Sequence, residues 1–337
     1  MSFIVGTSLL AVVTALACAL PGAFVVLRRH AMLVEGIAHA VLPGIVVGYA
    51  FTLDLNSPWL IVGAALAGLL VVLCNEWLIS TGLLTGDAPQ GLVFPALFAA
   101  GVILITLDFN HVHLHPEVVL VGDLNLAAFH QLMVNGVSIG PSYLYVMLAV
   151  LFLNVAFIAV FYPKLKVTTF DDQFAAVLGM RTRLLNNLFM FLVSVTVVTA
   201  FHAAGAILVI SLVVVPAATA HLISRRLSVM LVFTALFAVV GALGGFWIAY
   251  VLNAATSACM AVFYGLLFIA VAFIDKLAVR VRRYRRRSVS LPAARHQPVS
   301  ARAVAPAGAP SDPRRAVSQC GARQSGSQTN DLSATAR

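Results

Sequence analysis

Charged side chains are scarce in this chain of 337 residues. Asp, Glu, Lys and Arg together make up 10% of the sequence, apolar residues make up 61%, and the mean hydropathy is +1.00. A soluble domain needs more polar surface than this composition can supply. The scarcity of charge therefore excludes a soluble globular protein and indicates an integral membrane protein with several spans.

The motifs of several enzyme classes are also missing. The only lysines, Lys164, Lys166 and Lys276, do not follow a glycine-rich turn, so the chain has no GxxxxGK[ST] loop with which to bind ATP. The HExxH pattern of zinc proteases is absent, and Ser211 lacks the strand-to-helix elbow of a nucleophilic serine. We therefore expect no catalytic residue in this chain.

Cysteines are too few and too scattered to indicate a disulfide framework or a thiolate metal site. Three of them lie in apolar segments and one lies near the C-terminus: Cys18, Cys74, Cys259 and Cys320. We interpret them as packing residues or free thiols.

Positive charge is absent from the connections on one side of the predicted membrane segments. Hydrophobic windows long enough to cross a bilayer fall at about 3–27, 31–53, 58–79, 91–108, 142–162, 184–200, 203–223, 228–251 and 256–274. Lys and Arg occur only in connections of the opposite side, around 28–29, 164–183 and 225–226, and from 276 onward. The positive-inside rule places those connections, and the C-terminus, in the cytoplasm. The sequence thus predicts an all-α polytopic protein of the plasma membrane with eight or nine spans.

The net charge of +9 belongs to the C-terminal region alone. Residues 1–276 hold 9 Lys and Arg against 10 Asp and Glu, whereas residues 277–337 hold 12 Arg against 2 Asp. We therefore divide the chain into a membrane domain, residues 1–276, and a basic cytoplasmic tail, residues 277–337. The RVRRYRRR cluster favours contact with anionic lipid headgroups, and the Pro-, Ala- and Ser-rich remainder is typical of disorder. We do not expect a nucleic-acid partner.

Two ionisable residues interrupt the second apolar window. Glu35 and His39 are four residues apart, so they lie on one face of a helix. Ionisable groups at bilayer depth usually face a bundle interior and mark an ion or substrate path, and a carboxylate with an imidazole forms half of a divalent-metal site. The alternative is that Glu35 reaches towards Arg28 and Arg29 while His39 satisfies a helix carbonyl.

The longest outer connection, residues 109–141, carries His111, His113 and His115 in strict alternation. In an extended chain the three imidazoles point the same way, which is a geometry that could gather metal ions. The alternatives are a solvated polar loop and a docking surface for an extracytoplasmic partner.

The inner connection at 163–183 predicts a short amphipathic helix. Asp171 provides an acidic start, apolar residues including Phe174 recur at helical spacing, and Gly179 provides a stop. A cytoplasmic helix with an apolar face favours a protein partner, and its alternative is a helix that lies on lipid.

Four stretches together resemble the permease family of ATP-binding-cassette importers for manganese, zinc and iron. They are RRHAMLVEGIAHAVLPGIVVGYAF, GDAPQGLVFPALFAAGVILI, KLKVTTFDDQFAAVLGMRTRLLN and AGAILVISLVVVPAATAHLI, and they keep the family's order over about residues 5–275. The resemblance implies a homodimer or pseudo-dimer with two cytoplasmic ATPase subunits and an extracytoplasmic metal-binding protein. It also implies that the metal is cargo, with no permanently bound cofactor.

The resemblance assigns roles to particular residues. His39 falls on the family histidine, Glu35 replaces the usual aspartate and Ala38 the usual serine; His202 stands where manganese-type members carry an acidic or polar residue. The resemblance thus implies a metal path lined near the midplane by Glu35 and His39, with His202 near its outer mouth. Four residues fall on the segment that couples to the ATPase: Phe170, Asp171, Phe174 and Gly179.

We therefore predict a permease subunit that moves a divalent metal inward. The resemblance around 201–207 and 253–262 favours manganese as the transported metal. Zinc is an alternative because the candidate ligands are rich in nitrogen, and iron is a further alternative. Two further functions are left open: an ATP-independent secondary transporter or channel, and a membrane enzyme that uses Glu35 and His39.

Overall fold

Each apolar window of the sequence corresponds to one helix in the computed structural model, which describes residues 3–52, 59–84, 88–108, 124–129, 131–134 and 137–289. Within those ranges, eight helices are long and apolar enough to cross a bilayer, and α4 contains a shorter apolar stretch, Ala88–Leu104. The predicted all-α polytopic fold is confirmed. The elements are α1 (Phe3–Leu27), α2 (Ala31–Thr52), α3 (Trp59–Ser80), α4 (Ala88–Asp108), α5 (Leu124–Phe129), β1 (Gln131–Val134), β2 (Val137–Pro141), α6 (Ser142–Phe170), α7 (Asp172–Val177), α8 (Thr182–Ala204), α9 (Ala206–Ile223), α10 (Leu227–Leu252) and α11 (Thr256–Val289).

The centre of the bundle is formed by α1, which packs against α6, α8, α9 and α10. Leu10 and Phe24 of α1 are fully buried, and the Phe24 ring meets the edge of the Phe189 ring of α8 at a centroid distance of 5.9 Å. The next helix, α2, packs mainly on α3 and α4, so the residues of α2 lie between the centre and the periphery.

Gly44 and Gly48 form a GxxxG pair that serves packing within the chain. A Cβ atom added at Gly44 of α2 would lie 2.5 Å from the Ala64 Cα and 2.7 Å from the Gly63 carbonyl oxygen of α3. One added at Gly48 would lie 3.0 Å from the Leu60 Cα. A side chain would collide with α3 at Gly44, and at Gly48 it would require α3 to shift by a few tenths of an ångström. The two glycines thus let the backbones approach closely, as small residues do in membrane helices.

Four prolines lie inside uninterrupted helices, although proline usually bends or interrupts a span: Pro21, Pro43, Pro95 and Pro216. Each removes the N–H that would bond the carbonyl four residues earlier. In α1 that carbonyl belongs to Ala17, and it accepts instead from the Asn154 amide nitrogen of α6 at 3.1 Å. The same nitrogen lies 2.9 Å from the Thr196 hydroxyl of α8, so the Asn154 side chain connects α6 to both α1 and α8.

The nearly continuous apolar run from 184 to 223 is divided by Gly205. Its φ of 78° and ψ of 164° lie outside helical geometry and favour glycine. The run is therefore two helices, α8 and α9, as the two separate windows predict.

Three features of the connections differ from the sequence-based prediction. The outer connection contains α5 and an antiparallel hairpin of β1 and β2, with Gln131 opposite Pro141, where only a loop was expected. Helix α6 continues through Pro163 to Phe170, beyond the expected end of its span at 162. Helix α11 continues past 276 to Val289, so the first part of the predicted tail is helical.

The chain divides into two units, residues 1–285 and 286–337. The first holds all the elements above except the end of α11. The division that the sequence suggests, between 276 and 277, stays a prediction.

Candidate functional site

Glu35 and His39 lie on one face of α2, in its first half. The helix begins at Ala31 and is about 33 Å long, which places the two residues about 6 Å and about 12 Å from its start. Both side chains are half-buried. The residues next to them along the helix are buried: Val34, Gly36, Ile37, Ala38 and Ala40. The pair is therefore a partly open polar position within an otherwise enclosed stretch of helix.

The carboxylate of Glu35 is not neutralised by the arginines that precede α2. Arg29 is exposed, and the guanidinium of Arg28 bonds side chains of α6 and α8. Among the described residues, no hydrogen bond or ion pair is made by Glu35. A half-buried acid without a protein partner inside an apolar helix is a candidate ligand for a cation.

The imidazole of His39 is held by two aromatic rings of α4. The Phe94 ring stacks on it at a centroid distance of 5.5 Å, and the Phe98 ring meets it edge-on at 5.8 Å. Helices α2 and α4 approach closely on both sides of this contact, because Gly36 of α2 faces Phe94 of α4 and Gly101 of α4 faces Pro43 of α2. The two rings restrict the directions in which the His39 nitrogens can point.

A backbone oxygen adds to the polar groups near His39. Pro43 has no N–H, so the His39 carbonyl lacks the donor that a regular helix would give it. A carboxylate, an imidazole and a carbonyl without its regular helical donor thus lie within about two turns of α2, and oxygen and nitrogen donors of this kind suit Mn²⁺, Zn²⁺ and Fe²⁺.

His202 lies apart from this pair, in the last turn of α8. Its side chain is exposed and contacts the Tyr143 ring of α6 at a centroid distance of 5.5 Å. The Tyr143 hydroxyl donates to the Thr199 carbonyl, which fixes that ring beside the end of α8. Within the described residues no group of three His, Cys, Asp or Glu side chains is close enough to hold a metal.

The outer histidines predicted to gather metal, His111, His113 and His115, lie outside the described residues. The nearest described part of that connection is α5, which is tied to the start of α11 by a hydrogen bond of 2.8 Å from the Asn125 amide to the Thr256 hydroxyl.

The coupling segment forms the short capped helix that the sequence predicts. Asp171 is the N-cap of α7, and its carboxylate accepts from the Phe174 backbone N–H at 2.8 Å. Gly179 follows the helix with a φ of 73°, and its N–H bonds the Ala176 carbonyl at 3.0 Å. The helix itself is therefore confirmed, and its functional role stays a prediction.

The apolar side chains of this segment face away from the bundle. Phe170, Phe174, Val177 and Leu178 are 62%, 54%, 85% and 58% exposed. Four exposed apolar side chains around one short helix form a patch of the kind that marks a contact with a partner or with lipid.

A polar cluster at the ends of α1, α3, α6 and α8 was not predicted. It joins Arg28 to Thr168, Thr169 and Asn186, and Asn186 in turn to Glu76. The sequence shows these residues near the ends of apolar windows, but they are up to 158 positions apart, so no local pattern pairs them. Phe94 and Phe98 were also missed, although their i,i+4 spacing is visible.

An acid and an imidazole inside one helix of a membrane bundle mark a candidate ion or substrate site. The chain belongs to the ABC 3 transport family, whose sequence model matches residues 1–275. The resemblance to importer permeases that the sequence shows is thereby confirmed.

Relatives of similar length support the family. The manganese transport system membrane protein MntD of Bacillus subtilis is 39% identical over 263 residues, which cover 78% of this chain and 88% of MntD. The zinc transport system membrane protein TroD of Treponema pallidum is 40% identical over 275 residues, which cover 82% of this chain and 75% of TroD.

A solved structure shows the same fold. PsaBC from Streptococcus pneumoniae, in complex with Fab, matches with a TM-score of 0.67 and 24% identity over 84% of this chain and 96% of that one. The helical arrangement described above therefore also occurs in a solved structure.

Proposed function

We propose that the chain is the metal-conducting permease subunit of an ATP-binding-cassette importer in the plasma membrane. Its cargo is a divalent cation, and the family resemblance around 201–207 and 253–262 favours Mn²⁺. Zn²⁺ and Fe²⁺ are alternatives, since a relative named for zinc matches about as well as one named for manganese, and a relative named for iron also matches. The observation that carries the proposal is the Glu35 and His39 pair, which is half-buried on one face of α2.

The pair supports passage better than permanent binding. One carboxylate, one imidazole held between Phe94 and Phe98, and one helix carbonyl give fewer protein ligands than a closed metal site has. Weak sites of this kind let an ion enter and leave, which conduction requires. His202, on the outer side, is proposed to lie near the entrance, and the outer histidines 111, 113 and 115 to gather ions before it.

Partners complete the importer in this proposal. A cytoplasmic ATP-binding subunit hydrolyses ATP and contacts the patch around Phe170, Asp171, Phe174 and Gly179. An extracytoplasmic metal-binding protein delivers the ion, and a second copy of the permease forms the other half of the path. The connections that hold Lys and Arg, and the C-terminus, face the cytoplasm.

Replacing both polar side chains of the pair tests the proposal. We expect the double variant Glu35→Gln, His39→Ala to abolish Mn²⁺, Zn²⁺ and Fe²⁺ uptake by cells, because the carboxylate charge and the imidazole are both removed. Assembly with the ATPase subunit should stay intact, since neither residue contacts α7. Uptake is measured as metal content per cell, and assembly as co-purification.

His221→Ala is the matched control, because it removes an exposed imidazole at the inner end of α9. It should leave uptake unchanged. Wild-type uptake in the double variant contradicts the proposed path.

Metal flux into vesicles that hold this chain alone favours a secondary transporter or channel, and turnover of lipid or peptide without transport favours an enzyme.

A further inference from the structure

Arg28, at the end of α1, is engaged by two other helices. Its Nε donates to the Thr169 hydroxyl at 3.1 Å, one terminal nitrogen donates to the Thr168 hydroxyl at 3.0 Å, and the other to the Asn186 side-chain oxygen at 2.7 Å. The guanidinium carbon also lies 5.0 Å from the centroid of the Phe189 ring. Three divergent hydrogen bonds and a ring face fix the guanidinium in one orientation.

The cluster continues to a carboxylate on α3. The Asn186 amide nitrogen donates to Glu76 Oε1 at 2.7 Å, so one amide connects the cation of α1 to the anion of α3. With its amide nitrogen turned towards Glu76, Asn187 lies 3.0 and 2.8 Å from the two carboxylate oxygens and 3.2 Å from the Arg183 carbonyl. The ends of four long helices are thus held together by polar contacts at one level.

The position of Arg28 in the chain connects this cluster to both functional regions. Thr168 and Thr169 directly precede Phe170 and the coupling helix α7. On the other side, a turn of three residues, with Arg29 at a φ of 61°, leads from Arg28 into α2, which carries Glu35 and His39. Any displacement of the inner end of α6 therefore acts on the start of α2 through the Arg28 side chain.

We propose that Arg28 is a positioning residue that transmits movement of the ATPase-contacting segment to the metal-path helix. The inference rests on the proposed function, since it needs an ATPase at α7 and a metal path at α2. Arg28 itself does not contact the metal. Its role is to keep the inner ends of α6, α8 and α2 in one register while the path opens and closes.

The experiment measures metal transported per ATP hydrolysed, in vesicles that hold the complete importer with its ATPase and metal-binding protein and with Mn²⁺ as cargo. In Arg28→Lys and Arg28→Gln, we expect this ratio to fall at least about tenfold, because lysine cannot reproduce the planar fork and glutamine lacks the charge. A merely structural role lowers assembly, ATP hydrolysis and transport together and leaves the ratio unchanged.

Arg29→Gln is the matched control. Arg29 is the next residue, and its side chain is exposed, so the variant removes the same charge without disturbing the cluster. The metal transported per ATP hydrolysed should equal that of the wild type. An equal loss in Arg29→Gln, or a wild-type ratio in Arg28→Lys, overturns the inference. If the wild-type importer moves no Mn²⁺, Zn²⁺ or Fe²⁺, the proposed function itself fails, which is a different result from transport that Arg28 does not influence.

A milder variant covers the case in which Arg28 variants do not assemble. Thr169→Val removes the acceptor of Nε and leaves the bonds to Thr168 and Asn186 in place. It should lower the ratio by a smaller factor, whereas Thr182→Val, on the same side of the bundle but outside the cluster, should not. Equal ratios in both valine variants overturn the inference.

Discussion

At the scale of single residues, Asn154 shows how the bundle accommodates a proline in its central helix. Pro21 deprives the Ala17 carbonyl of its helical donor, and the buried Asn154 amide replaces that donor. A carbonyl left without a donor in apolar surroundings costs about 1–3 kcal/mol, although hydrogen bonds between membrane helices often contribute less than about 1 kcal/mol. The side chain of Asn154 therefore has a structural role that its apolar sequence context does not reveal.

Asn154→Leu should lower the stability of the protein by about 1–2 kcal/mol, because leucine fills similar space but donates no hydrogen bond. The measurement is the midpoint of thermal unfolding in detergent. In a Pro21→Ala background the helix can supply the missing N–H, so the same substitution should cost clearly less there. Equal losses in the two backgrounds contradict the assigned role of Asn154.

Residue patterns in the sequence identified part of the candidate site and could not identify the rest. Glu35 and His39 were found because ionisable groups are conspicuous in an apolar window and their four-residue spacing fixes a common face. The rings of Phe94 and Phe98 belong to another helix, and only tertiary packing brings them to His39. The partners of Arg28 were unpredictable for the same reason.

At the scale of secondary-structure elements, α7 is the connection whose structure agrees best with the prediction from the sequence. The cap at Asp171 and the left-handed Gly179 are local signals, and local signals are readable without tertiary structure. The hairpin of β1 and β2 was missed although the sequence carries a local signal for it. Asn135 and Gly136 stand between the two strands, and β2 alternates Val137 and Ile139 with Ser138 and Gly140.

Gly179→Pro should lower co-purification of the ATPase subunit with this chain several-fold. Proline fixes φ near −65°, which is incompatible with the φ of 73° at this position, and it removes the N–H that bonds Ala176. The exposed patch of α7 should therefore lose its shape.

Gly82→Pro is a closely matched control for this prediction. Gly82 has a φ of 72°, donates its N–H to the Ile79 carbonyl at 3.1 Å and has open space around it, as Gly179 does. Equal recovery of the ATPase with both variants would contradict a specific role for α7.

At the scale of the whole molecule, the contacts agree with the alternation of charge along the chain. The cluster of Arg28 and Glu76 joins the ends of α1, α3 and α6 to the start of α8, all of which the positive-inside rule assigns to one side. The start of α11 meets α5 through Asn125 and Thr256, as expected for the opposite side. Hydropathy predicted the number and order of the helices because that signal is strong and nearly independent of packing.

Cysteine labelling tests which side faces the cytoplasm. In a background without the four native cysteines, Leu83→Cys should react only with a reagent that crosses the membrane, and Ala254→Cys should react with an impermeant reagent in intact cells. Both positions are exposed, so access depends on the side alone. The reverse pattern would invert the topology and place α7 outside.

The length of α6 has a consequence for how the two mouths of the path are related. Its 29 residues make a rod about 44 Å long, while the hydrocarbon layer is about 30 Å thick. Its inner end leads into α7, its outer end carries Tyr143 beside His202, and Asn154 attaches it to its neighbours about 18 Å from the outer end. Because Arg28 holds its inner end and the Tyr143 hydroxyl bonds the Thr199 carbonyl at its outer end, a rod of this length connects the two sides of the membrane, so movement at one mouth of the proposed path reaches the other.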